Sequence, residues 1–233
     1  MKIYSISDLH LSGLSDKPMD VFGPGWENHF EKIKNDWQKK VGDGDIVLLC
    51  GDTSWGITLN EGLYDLNALK GLKGKKIFIK GNHDFWWNGI TKLRDSAPDE
   101  SFYFLQNDCL KFGNVIICGS RGWTTPLSSD FTEHDETIYL REAERFKLCF
   151  NEVNKVKQQG DTVIAMIHYP PFSLKMQNTL FTKLFEENSV DKVVFGHIHG
   201  ETFFPLRTVK EGVEYILTSC DKVAFTLQPV VEI

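Results

Sequence analysis

The chain has 233 residues, 41% of them hydrophobic and 25% charged, with a formal net charge of −6. That length supports one domain, residues 1–233, with a full two-sided core, and the composition is that of an ordinary globular protein. No stretch approaches the ~20 apolar residues of a membrane span, residues 1–6 are too short and polar for a signal peptide, and the acidic balance disfavours unspecific binding to nucleic acid backbones.

In chain order, residues 1–6 read as a first strand, followed by Asp8-Leu9-His10. Phe30, Ile33, Trp37 and Val41 keep a three-to-four spacing that defines one helix face. Ile46-Val47-Leu48-Leu49 is a continuous apolar run, the pattern of a strand covered on both faces, and Gly51-Asp52 follows it. Leu59, Leu63, Leu66 and Leu69 mark a second helix. Ile77-Phe78-Ile79 leads into Gly81-Asn82-His83-Asp84, and Val115-Ile116-Ile117 leads into Gly119-Ser120-Arg121-Gly122-Trp123. Residues 137–159 are charged and free of Gly and Pro, a long helix stopped by Gly160-Asp161. Val163-Ile164-Ala165-Met166-Ile167 ends at His168, residues 179–187 form a shorter helix, and Val193-Val194-Phe195 precedes Gly196-His197-Ile198-His199. Beyond His199, residues 202–204, 213–217 and 223–227 are expected as consecutive strands of a β-meander. The alternation predicts an α/β or α+β layered core with helices outside. It puts every motif just beyond a strand, where sites form in such sheets.

Five of the seven histidines fall in these motifs. Asp8 and His10 are spaced i, i+2, and on an extended segment both side chains point the same way; His197 and His199 repeat the spacing. Gly51 and Gly81 allow tight turns before Asp52 and Asn82. Oxygen donors mixed with imidazoles suit Mn²⁺, Fe or Zn²⁺. Two divalent ions would outweigh the Asp8 and Asp52 carboxylates and, with a bridging hydroxide, leave a site of about +1, suited to a phosphate oxyanion. Paired ions roughly 4 Å apart supply a hydroxide nucleophile. His83 is placed to protonate the leaving alkoxide, and Asp84 beside it to orient that imidazole.

The ordered set DxH, GD, GNHD, H and GHxH resembles the calcineurin-like metallophosphoesterases, from Asp8 to His199. The resemblance implies a four-layer αββα sandwich, two mixed β-sheets flanked by helices, with a dinuclear centre. By position, Asp8, His10, Asp52 and His199 would hold the first metal. Asp52 would bridge to a second, completed by Asn82, His168 and His197. His83 matches the position used for leaving-group protonation. His168-Tyr169-Pro170 is similar to the HxP context usual there. One departure is Gly51-Asp52-Thr53-Ser54-Trp55, where the family's protein phosphatases follow GD with Asp and Arg. The chain is also too short for the capping domain of the family's repair nucleases.

His29 and His134 lie outside the motifs and are read as structural or surface residues. Trp26, Trp55, Trp86, Trp87 and Trp123 fall in loops at the site edge, either as a rim that stacks a base or apolar leaving group or as packing for those loops. Trp86, Trp123 and Arg121 are the named candidates for substrate contact, Arg121 as a phosphate clamp or as the partner of a carboxylate. The five cysteines are odd in number and lack CxxC spacing, so buried free thiols of a cytoplasmic protein are expected. The sequence thus favours a phosphohydrolase that uses two divalent metals on a small-molecule phosphomonoester or phosphodiester, by attack of metal-bound hydroxide. A nuclease is the alternative, disfavoured because no run of Lys or Arg exceeds two, and Lys73-Gly74-Lys75-Lys76 is the densest cluster. A noncatalytic scaffold, as in the retromer subunit of this fold, would have lost ligands or the acid histidine, and all are filled here.

Overall fold

The computed structural model describes residues 1–173 and 175–232. The chain runs β1 (Lys2–Ile6), α1 (His29–Lys40), β2 (Ile46–Leu49), α2 (Leu59–Asn67), β3 (Lys75–Phe78), α3 (Ile90–Asp95), β4 (Phe102–Phe104), β5 (Cys109–Phe112), β6 (Val115–Ser120), α4 (Glu133–Val156), β7 (Thr162–Ile167), α5 (Leu180–Glu187), β8 (Lys192–Phe195), β9 (Arg207–Lys210), β10 (Val213–Leu217) and β11 (Gln228–Glu232). Two mixed sheets result, ordered β11-β1-β2-β3-β4 and β5-β6-β7-β8-β10-β9. Within them β1 to β4 are mutually parallel, as are β6, β7, β8 and β10, and the antiparallel partners sit at the edges.

Three apolar clusters set the layers. Ile33 and Trp37 of α1 and Leu66 of α2 pack on the outer face of the first sheet. Phe146 and Phe150 of α4 and Phe185 of α5 cover the second. Between the sheets, Ile3, Leu48 and Ile77 meet Ile117, Ile164 and Val194. Buried on both faces, these strands read as continuous apolar runs in place of alternating ones. This is the expected αββα sandwich, and no helix among the described residues is long and apolar enough to cross a membrane.

Helix ends follow capping chemistry. Thr132 and Asp135 form a capping box, so α4 starts four residues before the charged segment at 137–159 suggests. Thr179 caps α5 in the same way. The largest departure lies after His199. Residues 202–204 and 223–227 are not strands, and the last strand, β11, leaves the second sheet to pair antiparallel with β1 of the first. The expected meander is therefore a β9–β10 hairpin plus a crossover, and the crossing segment becomes a wall of the site. The sheets touch there, where the Ser7 amide donates to the Thr218 carbonyl at 2.9 Å. The densest lysine cluster is partly structural. Lys76 is 1% exposed, and its ammonium donates to the Gly74 carbonyl and the Ser101 hydroxyl, both at 3.0 Å. All five cysteines are unpaired, and four are buried.

Candidate metal centre

Every motif follows a parallel strand at its carboxyl end: Asp8 after β1, Asp52 after β2, Asn82 after β3, His168 after β7 and His197 after β8. The backbone, however, is not extended there. Asp8, His10, Asp52 and His197 have φ of 59°, 47°, 51° and 71°, in the left-handed region that non-glycine residues rarely enter. The i, i+2 convergence of Asp8 and His10 therefore comes from a kinked loop and not from strand alternation. Such conformations cost of order 1–3 kcal/mol each and persist where surrounding structure over-determines them. The contacts that do so are visible. The Asp8 amide donates to the Gly51 carbonyl at 2.9 Å, the His10 amide to the Asp52 carbonyl at 3.0 Å, and the His197 amide to the Asp8 carboxylate at 3.0 Å.

The glycines are required by close approach. A β-carbon on Gly81 would lie 2.1 Å from Asp52 Oδ1, and one on Gly51 (φ 94°) 2.7 Å from His168 Nδ1.

The ligand atoms converge in two groups, Asp8 with His10 and His199, and Asp8 with Asp52 and His168, each with its atoms within 4.8 Å of one another. Asp52 Oδ2 lies 4.0 Å from His10 Nε2 and 3.4 Å from His168 Nε2, so this carboxylate stands between the groups. Asn82 Oδ1 sits 2.7 Å from His168 Nε2 and 2.9 Å from His197 Nδ1. All seven expected ligands thus reach one cluster. The donor set fits divalent cations. It is oxygen and imidazole nitrogen throughout, and His10 Nδ1 is a buried polar atom without a hydrogen-bond partner among the described residues. Other rings are aimed from behind, since His168 Nδ1 meets the Cys50 carbonyl at 2.8 Å and His199 Nδ1 meets Asp221 Oδ1 at 2.8 Å.

Electrostatics divide the imidazoles. Burial drives His10 and His197 down to about 4, so both rings are neutral. Burial also acts on His168 and His199, but carboxylates outweigh it. Asp52 and Asp8 hold His168 at about 9, while Asp221 and Asp8 hold His199 at about 10. A cation bound here replaces protons on those two rings.

His83 lies over this cluster. Its amide donates to Asp52 Oδ1 at 2.8 Å, and its ring packs 4.4 Å from Trp55 and 5.8 Å from His10. The ring is half-buried, which lowers its basicity. Asp84 does not orient it. The Asp84 carboxylate is fully buried and accepts the amides of Gly81, Asp52, Thr53 and Ser54 and the indole N–H of Trp86 at 2.7–3.2 Å. Burial and the Asp52 charge push Asp84 up to about 6, against the pull of those donors. It is a clamp between the β2 and β3 loops.

A cavity of about 360 Å³ opens beside the cluster, lined by His10, Asp52, His83, His197 and His199 together with Met19, Phe22, Trp26 and Trp55. The three residues named for substrate contact are elsewhere. Trp86 is 1% exposed and packed in the core under Asp84, because its indole N–H has its acceptor there. Trp123 donates to Asp135 at 2.9 Å and packs at a tilt 5.2 Å from the Tyr169 ring. Arg121 pairs with Glu142 at 3.5 Å. The aromatic wall belongs instead to Trp26 and Trp55, the latter stacked on His10 at 4.7 Å. His29 stays structural, its Nε2 meeting the Leu9 carbonyl at 2.9 Å. Asp221 does not stand out from the sequence, although Thr218-Ser219-Cys220-Asp221 follows the apolar β10 run just as the other motifs follow theirs.

A family model described as calcineurin-like phosphoesterase matches residues 1–201. A Helicobacter pylori protein described as an uncharacterized metallophosphoesterase is 24% identical over 207 residues, 88% of this chain and 46% of that protein. The chain therefore spans about half the length of that relative. An uncharacterized Methanocaldococcus jannaschii protein is 27% identical over 206 residues, covering 83% of this chain and 96% of its own. Among solved structures, a Thermus thermophilus protein aligns with a TM-score of 0.60 at 10% identity, over 98% of this chain and 97% of that one. An Aquifex aeolicus protein of unknown function aligns with a TM-score of 0.52 at 16% identity, over 98% and 95%.

Proposed function

The chain belongs to the calcineurin-like phosphoesterase family, and we propose that it hydrolyses a phosphomonoester or phosphodiester of a small molecule at a two-metal centre. The observation that carries this reading is Asp52, whose carboxylate stands within 4.0 Å of His10 Nε2 and 3.4 Å of His168 Nε2 and faces the cavity that His83 overlooks. Asp8, His10, Asp52 and His199 would hold one ion, and Asp52, Asn82, His168 and His197 the other. When bound, such ions provide a hydroxide nucleophile at neutral pH and neutralise charge developing on phosphorus.

The protein's own groups do the rest. Asp8 and Asp52 would hold the ions from buried, pre-bent loops that need little reorganisation. His83 carries a proton on an imidazole nitrogen toward the leaving oxygen. Its ring makes no side-chain hydrogen bond among the described residues, which leaves it available to substrate. Trp55 covers the shared face of His10 and His83 and keeps water from that side. Lys17 Nζ lies 4.2 Å above Trp55 and adds positive charge at the mouth.

Metal analysis after Mn²⁺ loading, paired with hydrolysis of nitrophenyl phosphate and bis-nitrophenyl phosphate, tests the proposal. Two ions per chain and turnover of either ester are expected, and the better substrate separates monoesterase from diesterase. A protein that binds no ion, or turns over neither ester when loaded, overturns it.

A further inference from the structure

A second pocket, of about 300 Å³, lies on the other side of the β3 loop and shares no lining residue with the cavity at the metal cluster. Four cationic side chains line it: Lys80, Arg121, Arg141 and Arg145. No acidic side chain does, among the described residues. One carboxylate, the fully buried Glu142, contacts the group. It takes Arg145 at 2.6 Å, Arg121 at 3.5 Å and the Ser120 hydroxyl at 3.0 Å. Glu142 offsets one charge, and the buried Asp84 carboxylate acts on Lys80 without pairing with it, so at least two positive charges remain in surplus. The Lys80 and Arg141 side chains form no hydrogen bond or ion pair, and Arg121 Nε is a buried donor without an acceptor, among the described residues.

Mutually repelling cations held in a half-enclosed space are unfavourable unless a counter-charge enters. Here the repulsion is built in by rigid elements. Arg141 and Arg145 are one turn apart on α4, Arg121 directly follows β6, and Lys80 stands at the end of the β3 run. The Arg121 guanidinium is further pinned 4.4 Å above Trp123. Guanidinium forks match phosphate oxygens in pairs, which a lone lysine cannot do. Asn88 and Gln106 add uncharged side-chain amides to the same wall.

We propose that this pocket is a second anion site, separate from the metal centre, that takes a ligand bearing a di- or triphosphate group. The inference does not depend on the hydrolytic reading. The site is assembled from residues up to 65 positions apart, so no run of basic residues announces it in the sequence.

Titration of the Mn²⁺-loaded full chain with pyrophosphate at low ionic strength, followed by calorimetry, tests it. The wild type is expected to take one pyrophosphate more per chain than the Lys80→Gln/Arg141→Glu double variant, or to bind that equivalent at least tenfold more tightly. Added salt should weaken the same event. Arg141 is exposed on a helix surface, so Arg141→Glu alone serves as a second variant that leaves the core untouched. Both variants should keep the wild-type metal content and aryl phosphate turnover. An isotherm unchanged by both variants overturns the proposal.

Discussion

The carboxylate of Asp84 accepts the backbone N–H of Asp52 at 2.8 Å, across 32 positions of sequence, and so ties the β2 and β3 loops into one unit. The same carboxylate serves four further donors. In Asp84→Ala these would be buried without an acceptor, at about 1–3 kcal/mol each before water enters. A net loss of ~3 kcal/mol or more is expected, which lowers Tm by ~6–12 °C in a domain of this size. Bound metal should fall with it, because Asp52 and Asn82 lose their mutual register. An Asp84→Ala protein with wild-type Tm and metal content, altered only in the pH dependence of kcat, would restore Asp84 as the partner of His83.

Asp221 aims His199 from behind, through the 2.8 Å contact between Oδ1 and Nδ1. Removing such a partner frees the ring and its tautomer and costs about 10–100-fold in metal affinity. Asp221→Ala is therefore expected to lose metal to a chelator at correspondingly lower concentration while its Tm in chelator stays close to wild type. Equal chelator sensitivity in both proteins would make Asp221 irrelevant to the centre.

Proton competition has a defined sign. Burial is outweighed by Asp52 and Asp8 at His168, held at about 9, and by Asp221 and Asp8 at His199, held at about 10. A protonated ring cannot ligate, so metal affinity rises with pH up to those values and binding releases protons. Calorimetry in two buffers of different ionisation enthalpy measures that release directly. In chelator the same shifts act on stability in the opposite direction. Raised imidazole values stabilise the fold fully below about 6.5 and lose that contribution as pH climbs through about 9–10. Stability that is flat from pH 7 to 10 in chelator would contradict the assigned environments.

The candidate ligands are legible in the sequence because each belongs to a short polar motif ending an apolar run, and a layered sheet gathers such ends. Strand alternation is still the wrong reason for the convergence of Asp8 and His10, since left-handed backbone at both is fixed by contacts with the β2 loop, which lies more than 40 positions away. Asp84 departs from its expected role for a related reason. Adjacency to His83 is visible in sequence, whereas four amide donors converging from two loops are not. Trp86 resembles a rim residue because it follows the GNHD motif, but α2 packs over it. A β-carbon on Gly62 would sit 2.4 Å from its Cγ. The β11 crossover is hidden because an edge strand pairing across the molecule leaves no local pattern.

On the proposed reading, His83 separates catalysis from metal holding. Its ring faces the cavity without a hydrogen-bond partner among the described residues, while its amide is held by Asp52 Oδ1. His83→Ala is expected to retain both ions and to lose about 10²–10⁴-fold in turnover of an alkyl phosphate, whose leaving oxygen needs a proton. Nitrophenolate leaves without one, so the loss on nitrophenyl phosphate should be smaller. Equal losses on both esters, or full activity on the alkyl ester, would remove His83 from the role of acid.

Three tryptophans that look alike in sequence should fail in two different ways. Trp55 lines the cavity, stacked 4.7 Å from His10, and Trp26 stands 5.9 Å from His199. Trp26→Ala or Trp55→Ala removes apolar wall from a site of about 360 Å³, so KM should rise more than kcat falls. Trp86 is 1% exposed and touches no part of that cavity. Trp86→Ala leaves a void and an Asp84 oxygen without its indole donor, at about 3–5 kcal/mol for the truncation. Its Tm should drop by ~10 °C or more, while KM of the folded fraction stays at the wild-type value. If Trp86→Ala changes KM and Trp55→Ala does not, the substrate approaches from the α2 side and the cavity beside His10 is not its binding site.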